Sequence, residues 1–298
     1  MSWLREKGDN QARSGIVTVL DIGSSKVCCI IARLKPAEGD SLQLRQRTHR
    51  TQVIGIGHQR SQGVKSGMIV DLDRAETAIR QAVDAAERMA GVTVDSLIAN
   101  VSAGKLKSDT FSATINLGGH EVDSADIKRV LDEGAKKALK SEREVIHSLP
   151  VSFSLDTERG IRDPQGMVGD HLGVDIHVLT GDAMPMRNLE LAINRSHLSV
   201  ESMVATPYAS GLAALVDDEL EMGAACIDMG GGSTSISVFT EGRFAYADSI
   251  PIGGHHVTLD LARGLSTSID EAERLKVVHG STLPVANGRN HDATARPR

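Results

Sequence analysis

Two apolar runs in this chain end in Asp and break into a glycine turn, and that repeated pattern constrains the fold more than any bulk property. The first is Ile16-Val17-Thr18-Val19-Leu20-Asp21-Ile22-Gly23-Ser24-Ser25-Lys26. The second is Ala224-Ala225-Cys226-Ile227-Asp228-Met229-Gly230-Gly231-Gly232-Ser233-Thr234. Each is followed by a further run of β-formers, Val27–Leu34 and Ser235–Phe239, so each reads as a hairpin. A tip rich in Gly and Ser exposes backbone N–H groups that cradle phosphate oxygens. An Asp at the strand end suits Mg²⁺, held mostly through water. Two such tips facing each other make a phosphate clamp.

The rest of the chain reads as α/β. Thr51–Gly57 adds a strand, and from Leu72 the apolar spacing turns helical, with Leu72, Ala75, Ile79, Ala82, Val83, Ala86 and Ala90 on one face. Asp71 suits the N-cap of that helix and Gly91 its stop. Residues 92–169 read as a small β-β-α-β unit: strands at Ser96–Ala103 and Thr110–Ile115, a helix at Ser124–Lys140 and a strand at Val145–Leu155. It contains neither glycine turn, so it reads as an insertion. Alternation then resumes with a strand at Gly173–Thr180, a helix at Ala183–His197, a strand at Ser199–Ala205 and a helix from Pro207 to about Asp217. A strand near Phe244–Pro251 and helices at His256–Gly264 and Ile269–His279 follow the second hairpin.

Composition sets bounds. With one Trp, two Tyr and four Phe, the core relies on aliphatic side chains. A net charge of −6 gives no electrostatic attraction to nucleic acid. Cys28, Cys29 and Cys226 fall in strands expected to be buried and reduced. No segment approaches the length of a membrane-spanning helix, and Met1–Ser14 lacks the apolar core of a signal peptide, which suggests a cytoplasmic protein. Residues 1–14 and 284–298 carry no periodicity and are expected to be disordered. The string Ser102-Ala103-Gly104-Lys105 is not a P-loop, because Ala99 and Leu106 stand where Gly and Ser or Thr are needed. No histidine pair has zinc-ligand spacing.

Two strand–Asp–turn–strand units with α/β halves around them resemble the actin-like ATPase superfamily. The insertion between the turns is similar to that of the bacterial cell-division family FtsA. So are Gly63-Val64-Lys65-Ser66-Gly67-Met68-Ile69-Val70-Asp71, the helix Ala82–Ala90, Val145-Ile146-His147-Ser148-Leu149-Pro150, Ile250-Pro251-Ile252-Gly253-Gly254 and Ala272-Glu273-Arg274-Leu275-Lys276-Val277-Val278-His279-Gly280. The resemblance runs from about Gly15 to Leu283. It implies a two-lobed actin-like (ribonuclease-H-like) fold: residues 15–91 and 170–205 in the first lobe, 92–169 inserted, and 206–283 in an incomplete second lobe. It also implies ATP and Mg²⁺ as cofactors. Asp21 and Asp228 would approach the metal through water. Gly23, Ser24, Ser25 and Lys26 would face Gly230, Gly231, Gly232, Ser233 and Thr234 across the phosphates, although Lys26 also reads as a solvated strand residue. Gly253 and Gly254 would allow close backbone approach. Glu273 and Lys276 would reach the ribose, although from the residues alone they read as a solvated helix face.

As partners the resemblance implies FtsZ, further copies of the chain, and the cytoplasmic face of the inner membrane through a C-terminal amphipathic helix that this sequence lacks. The late glycine turn of the superfamily is also missing, which suggests a fragment or a reading frame lost near Leu283, with weak nucleotide affinity and aggregation as consequences. Thr206 stands where chaperone ATPases carry Glu, so efficient hydrolysis is not expected and no catalytic residue is assigned. A small-molecule kinase or a chaperone-type ATPase of the same superfamily is the competing reading. The rod-shape protein MreB is another, distinguished by where its extra subdomain is inserted.

Overall fold

The computed structural model describes residues 15–36, 49–102, 105–138 and 143–283; the expected tails 1–14 and 284–298 lie outside them. The chain opens with β1 (Gly15–Ile22), β2 (Lys26–Pro36) and β3 (His49–Arg60), an antiparallel meander. A two-residue hairpin, β4 (Val64–Lys65) and β5 (Met68–Ile69), leads into helix α1 (Leu72–Ala90). Asp71 caps α1 by accepting the Arg74 N–H at 3.1 Å, and Gly91, at φ 68°, closes it in the left-handed conformation.

The buried face of α1 is Ala75, Ala78, Ile79, Ala82, Val83 and Ala86. These small side chains let the helix lie directly on β3, where Gly55 and Gly57 offer no Cβ. A Cβ on Gly57 would stand 1.9 Å from the Ala82 carbonyl oxygen, and one on Gly55 2.3 Å from that of Ala86. Strand β6 (Ser96–Val101) then pairs parallel to β1.

The inserted unit comprises β7 (Lys107–Asn116), α2 (Ser124–Ala138), β8 (Arg143–Leu155), β9 (Glu158–Ile161) and β10 (His171–Asp182), with sheet order β7-β10-β8-β9. Helix α2 covers one face through Val130 and Leu131, packed with Val174 and Ile176. Arg143 binds the ends of the sheet together: it pairs with Asp182 at 2.5 Å and donates to the Lys105 and Thr180 carbonyls at 2.7 and 3.0 Å.

After α3 (Ala183–Arg195), strand β11 (Ser199–Ala205) pairs parallel to β6 and completes a five-stranded sheet of order β11-β6-β1-β2-β3. Helices α4 (Thr206–Ala214) and α5 (Asp217–Met222) lead to a second antiparallel meander, β12 (Ala224–Met229), β13 (Thr234–Thr240) and β14 (Arg243–Ile250). Helices α6 (Gly254–Gly264) and α7 (Ile269–His279) end the described chain.

Three corrections to the sequence reading follow. The strand near Ser96–Ala103 belongs to the first large sheet rather than to the insertion. The strand at Gly173–Thr180 belongs to the insertion rather than to the resumed lobe. Alternation marks a strand but not its neighbours, and β10 is almost continuously buried because it lies between β7 and β8. The helix expected to run to Asp217 stops at Ala214, with α5 starting separately. Of the cysteines, Cys29 is buried, whereas Cys28 and Cys226 are half-buried; all three are free.

The inserted sheet packs on the second meander through Leu106, Leu179, Phe239, Phe244 and Ala247. Burying each Phe side chain there contributes roughly 1.5–3 kcal/mol. The Ala247 N–H donates to Ser108 Oγ at 3.2 Å, and Arg243 donates to the Val151 carbonyl.

Candidate phosphate clamp

The two glycine tips have the same local geometry. Gly23 N–H donates to the Lys26 carbonyl at 3.0 Å, and Gly230 N–H to the Ser233 carbonyl at 2.9 Å. A Cβ on either first glycine would meet that same carbonyl at 3.1 Å. One four-residue turn is thus built twice, once between the first two strands of each meander.

The tips meet. A Cβ on Gly232 would lie 2.5 Å from Ser24 Oγ and 2.8 Å from Ser24 Cβ. One on Gly231 would lie 3.2 Å from Ser25 Cβ and 3.1 Å from the His255 ring. Beside this contact a cavity of about 180 Å³ is lined by both tips, by Asp21 and Asp228, and by Ser102, Thr206 and Ser235. Lys26 lines the same space. Burial pushes the Asp21 carboxyl up; the Lys26 ammonium opposes that shift and the Asp228 carboxylate adds to it. Two carboxylates, an ammonium, three tip hydroxyls and two glycine turns line one space, a set suited to a hydrated divalent cation and a polyphosphate.

A second cavity, of about 360 Å³, shares Ser24 and Gly232 with the first and continues toward Arg60, Lys65, His255, Thr258 and Glu273. Glu273 accepts from Lys276 at 2.7 Å and from Thr258 at 2.5 Å, and these two hydrogen bonds hold its carboxyl below the usual range. Lys276 also donates to Thr258 at 2.8 Å and to the Gly254 carbonyl at 3.2 Å, so it ties α7 to α6.

The structure separates the sequence-derived residues into two groups. Asp21, Gly23, Ser24, Ser25, Lys26, Asp228, Gly230, Gly231, Gly232 and Ser233 line the first cavity, and Glu273 lines the second. Thr234, Gly253, Gly254 and Lys276 line neither. Thr234 donates to the Ile252 carbonyl at 2.7 Å, and Gly254 N–H donates to that of Gly230 at 3.0 Å. A Cβ on Gly253 would strike the Gly230 carbonyl oxygen at 2.4 Å. These residues brace the second tip from behind.

Other residues at the site escaped the sequence reading. The loop around Ser66 and Gly67 wedges against both tips: Gly67 N–H donates to Ser24 Oγ at 2.9 Å, and a Cβ on Gly232 would approach Ser66 N at 2.9 Å. Ser66 has a φ of 48°, in the left-handed region. Asn100 donates to Asp21, and Ser210 to Asp228. The signal for Asn100 was its polarity near the end of an otherwise apolar strand, the pattern that had drawn attention to Asp21.

Comparison with known proteins identifies the family. Residues 103–180 match the family model described as the SHS2 domain inserted in FtsA, and residues 225–297 match the model of cell division protein FtsA, a match that overruns the boundary drawn at Leu283. FtsA of Rhizobium meliloti is 64% identical over 272 residues, which is 91% of this chain and 61% of that protein. FtsA of Agrobacterium fabrum is 62% identical over 279 residues, 94% of this chain and 63% of its own length. FtsA of Pseudomonas aeruginosa is 32% identical over 268 residues, 90% of this chain and 62% of its own. The chain therefore spans about three fifths of the length of these curated relatives. Among solved structures, the PilM–PilN type IV pilus biogenesis complex aligns with a TM-score of 0.61 at 14% identity, over 89% of this chain and 70% of that one, a likeness of fold alone. With an actin-like fold, an inserted SHS2 domain and relatives 62–64% identical over more than nine tenths of its length, this chain belongs to the FtsA family of cell division proteins.

Proposed function

We propose that this chain binds ATP with Mg²⁺ between its two glycine tips and serves in cell division as a conformational scaffold rather than a metabolic enzyme. One observation carries the proposal: two copies of one turn, each preceded by a carboxylate, meet across a single polar cavity. Tip N–H groups with the hydroxyls of Ser24, Ser25 and Ser233 would hold phosphate oxygens, Lys26 would neutralise part of their charge, and Asp21 with Asp228 would hold the hydrated metal. Glu273, in the second cavity, would face the ribose. Bound Mg-ATP would supply the opposite charges that draw the two tips to a common centre.

Because the tips belong to different lobes, a ligand that contacts both favours one lobe orientation over others by its differential affinity. That orientation would favour self-association. Assembled copies would link the FtsZ ring to the cytoplasmic face of the inner membrane, many weak contacts acting together. Hydrolysis would be slow, because Thr206 and Ser102 present hydroxyls where a water-orienting carboxylate would otherwise stand.

The test is direct binding of a fluorescent ATP analogue, with thermal melting at rising Mg-ATP. Ligand at 100 times its Kd raises stability by about 2.7 kcal/mol. A melting midpoint indifferent to millimolar Mg-ATP, together with no fluorescence titration, would end the nucleotide reading.

A further inference from the structure

We propose that Asn100 and Ser210 are positioning residues that aim the two cation-facing carboxylates, and that helix α4 links their two networks. The inference rests on the nucleotide reading above and names which groups set the geometry of its metal.

Asn100 uses every polar atom of its side chain. Its Oδ1 accepts the Ile22 N–H at 2.7 Å, which fixes the amide against the last residue of β1. Its Nδ2 then donates to Asp21 Oδ1 at 2.5 Å and to Thr206 Oγ1 at 3.1 Å, with Ser102 Oγ at 3.3 Å. The Ile22 contact removes the ambiguity of amide orientation, because only the NH₂ group can then face a carboxylate. With Asp21 Oδ1 taken, its second oxygen is the one left for the cavity. On the other side Ser210 Oγ donates to Asp228 Oδ2 at 2.5 Å, so that carboxylate too is held by one oxygen.

The two holds share a helix. Thr206 and Ser210 are four residues apart on α4 and so lie on one face. Thr206 reaches Asn100 and Ser102 in the first lobe, while Ser210 reaches Asp228 in the second. The first turn of α4 therefore spans the cleft floor and registers the carboxylates against each other. Outer-shell hydrogen bonds of this kind typically contribute 10–100-fold to metal affinity.

The experiment is a double-mutant cycle on the full chain, reading the Mn²⁺ dissociation constant in the presence of ATP by electron paramagnetic resonance. Asn100→Ala and Ser210→Ala are each expected to weaken Mn²⁺ by about tenfold. Asn100→Ala should be silent in an Asp21→Ala background, and Ser210→Ala silent in Asp228→Ala, because each acts through its carboxylate. Ser210→Thr, which keeps the hydroxyl, should restore affinity. A circular-dichroism melt of each variant checks the fold, and Ser210→Ala keeps the test open should Asn100→Ala unfold. A loss smaller than twofold, or a loss that persists when the carboxylate is gone, overturns the inference for that carboxylate. If the parent chain binds no Mn²⁺ with ATP, the nucleotide reading fails and this inference falls with it.

Discussion

Substituting Gly232 by Ala tests the clamp most sharply, because the residue's φ lies outside the left-handed region and the whole penalty is contact across the cleft. The new Cβ would sit 2.5 Å from Ser24 Oγ, 2.8 Å from Ser24 Cβ and 2.9 Å from Ser66 N. The hydroxyl can rotate away, but Ser24 Cβ and the Ser66 amide belong to backbone turns and cannot. Overpacking of this kind costs typically 1–3 kcal/mol. In the free chain the lobes can relieve it by parting slightly. On the proposed reading ligand draws them together, so the penalty falls on binding: about 5- to 150-fold in Kd at 1.4 kcal/mol per decade. Gly231→Ala is the internal control. Its nearest contacts are the His255 ring at 3.1 Å and Ser25 Cβ at 3.2 Å, which yield by a few tenths of an ångström, so its loss should be several-fold smaller. Titration of a fluorescent ATP analogue with Mg²⁺, beside a melt of each unliganded variant, gives both quantities. Equal affinities for Gly232→Ala and parent, with unchanged melts, would show that the tips do not close on one ligand.

Three further outcomes are expected. Gly57→Ala places a Cβ 1.9 Å from the Ala82 carbonyl oxygen and must lift α1 off β3, so stability should fall by about 3 kcal/mol in urea unfolding; a wild-type midpoint would refute the packing argument. Burial, with His177 nearby, lowers the His147 pKa from 6.5 to about 4, and its Nε2 accepts the Ala205 N–H at 3.0 Å in the neutral form. Since the folded pKa lies below the unfolded one, this stability is whole above pH 6.5 and falls as pH drops toward 4, by about 3 kcal/mol in total; His147→Gln should flatten the melting profile across that window. Thr206→Glu sets a carboxylate at the cavity wall and should raise ATP turnover by about 100-fold in a phosphate-release assay, with no gain if Thr206 does not face the reacting phosphate.

What the sequence made legible was whatever depends on neighbours along the chain. Each meander announces itself by alternation and by glycines at the tip, and α1 by its Ala-rich face between Asp71 and Gly91. The tips were readable as a site because backbone N–H groups at a glycine turn need no distant partner. What stayed hidden depends on which elements far apart in the sequence come to lie side by side. Nothing near Leu97, Ala99 or Val101 states that β6 lies beside β1, yet that pairing alone brings Asn100 to Asp21. The same blindness put β6 in the insertion and β10 outside it. Gly67, Ser102 and Ser210 escaped for the same reason, since each acts on a residue from another element.

The segment from Ala205 to Ser210 gathers these long-range contacts into one place. Its first N–H is held by His147 of the inserted sheet, its Thr206 by Asn100 of the first lobe, and its Ser210 holds Asp228 of the second. Tyr208, between them, packs against His147, Phe239 and Phe244 with ring centroids 4.8, 6.3 and 4.9 Å away. Two parts of a protein respond to one ligand only when an element with contacts to both has different free energies in the two arrangements. Here the start of α4 is in contact with all three parts within six residues and also lines the cavity between the carboxylates. A change in the angle between the lobes must therefore move this turn or break its hydrogen bonds, and where the turn moves, the Ala205 N–H that His147 accepts moves with it.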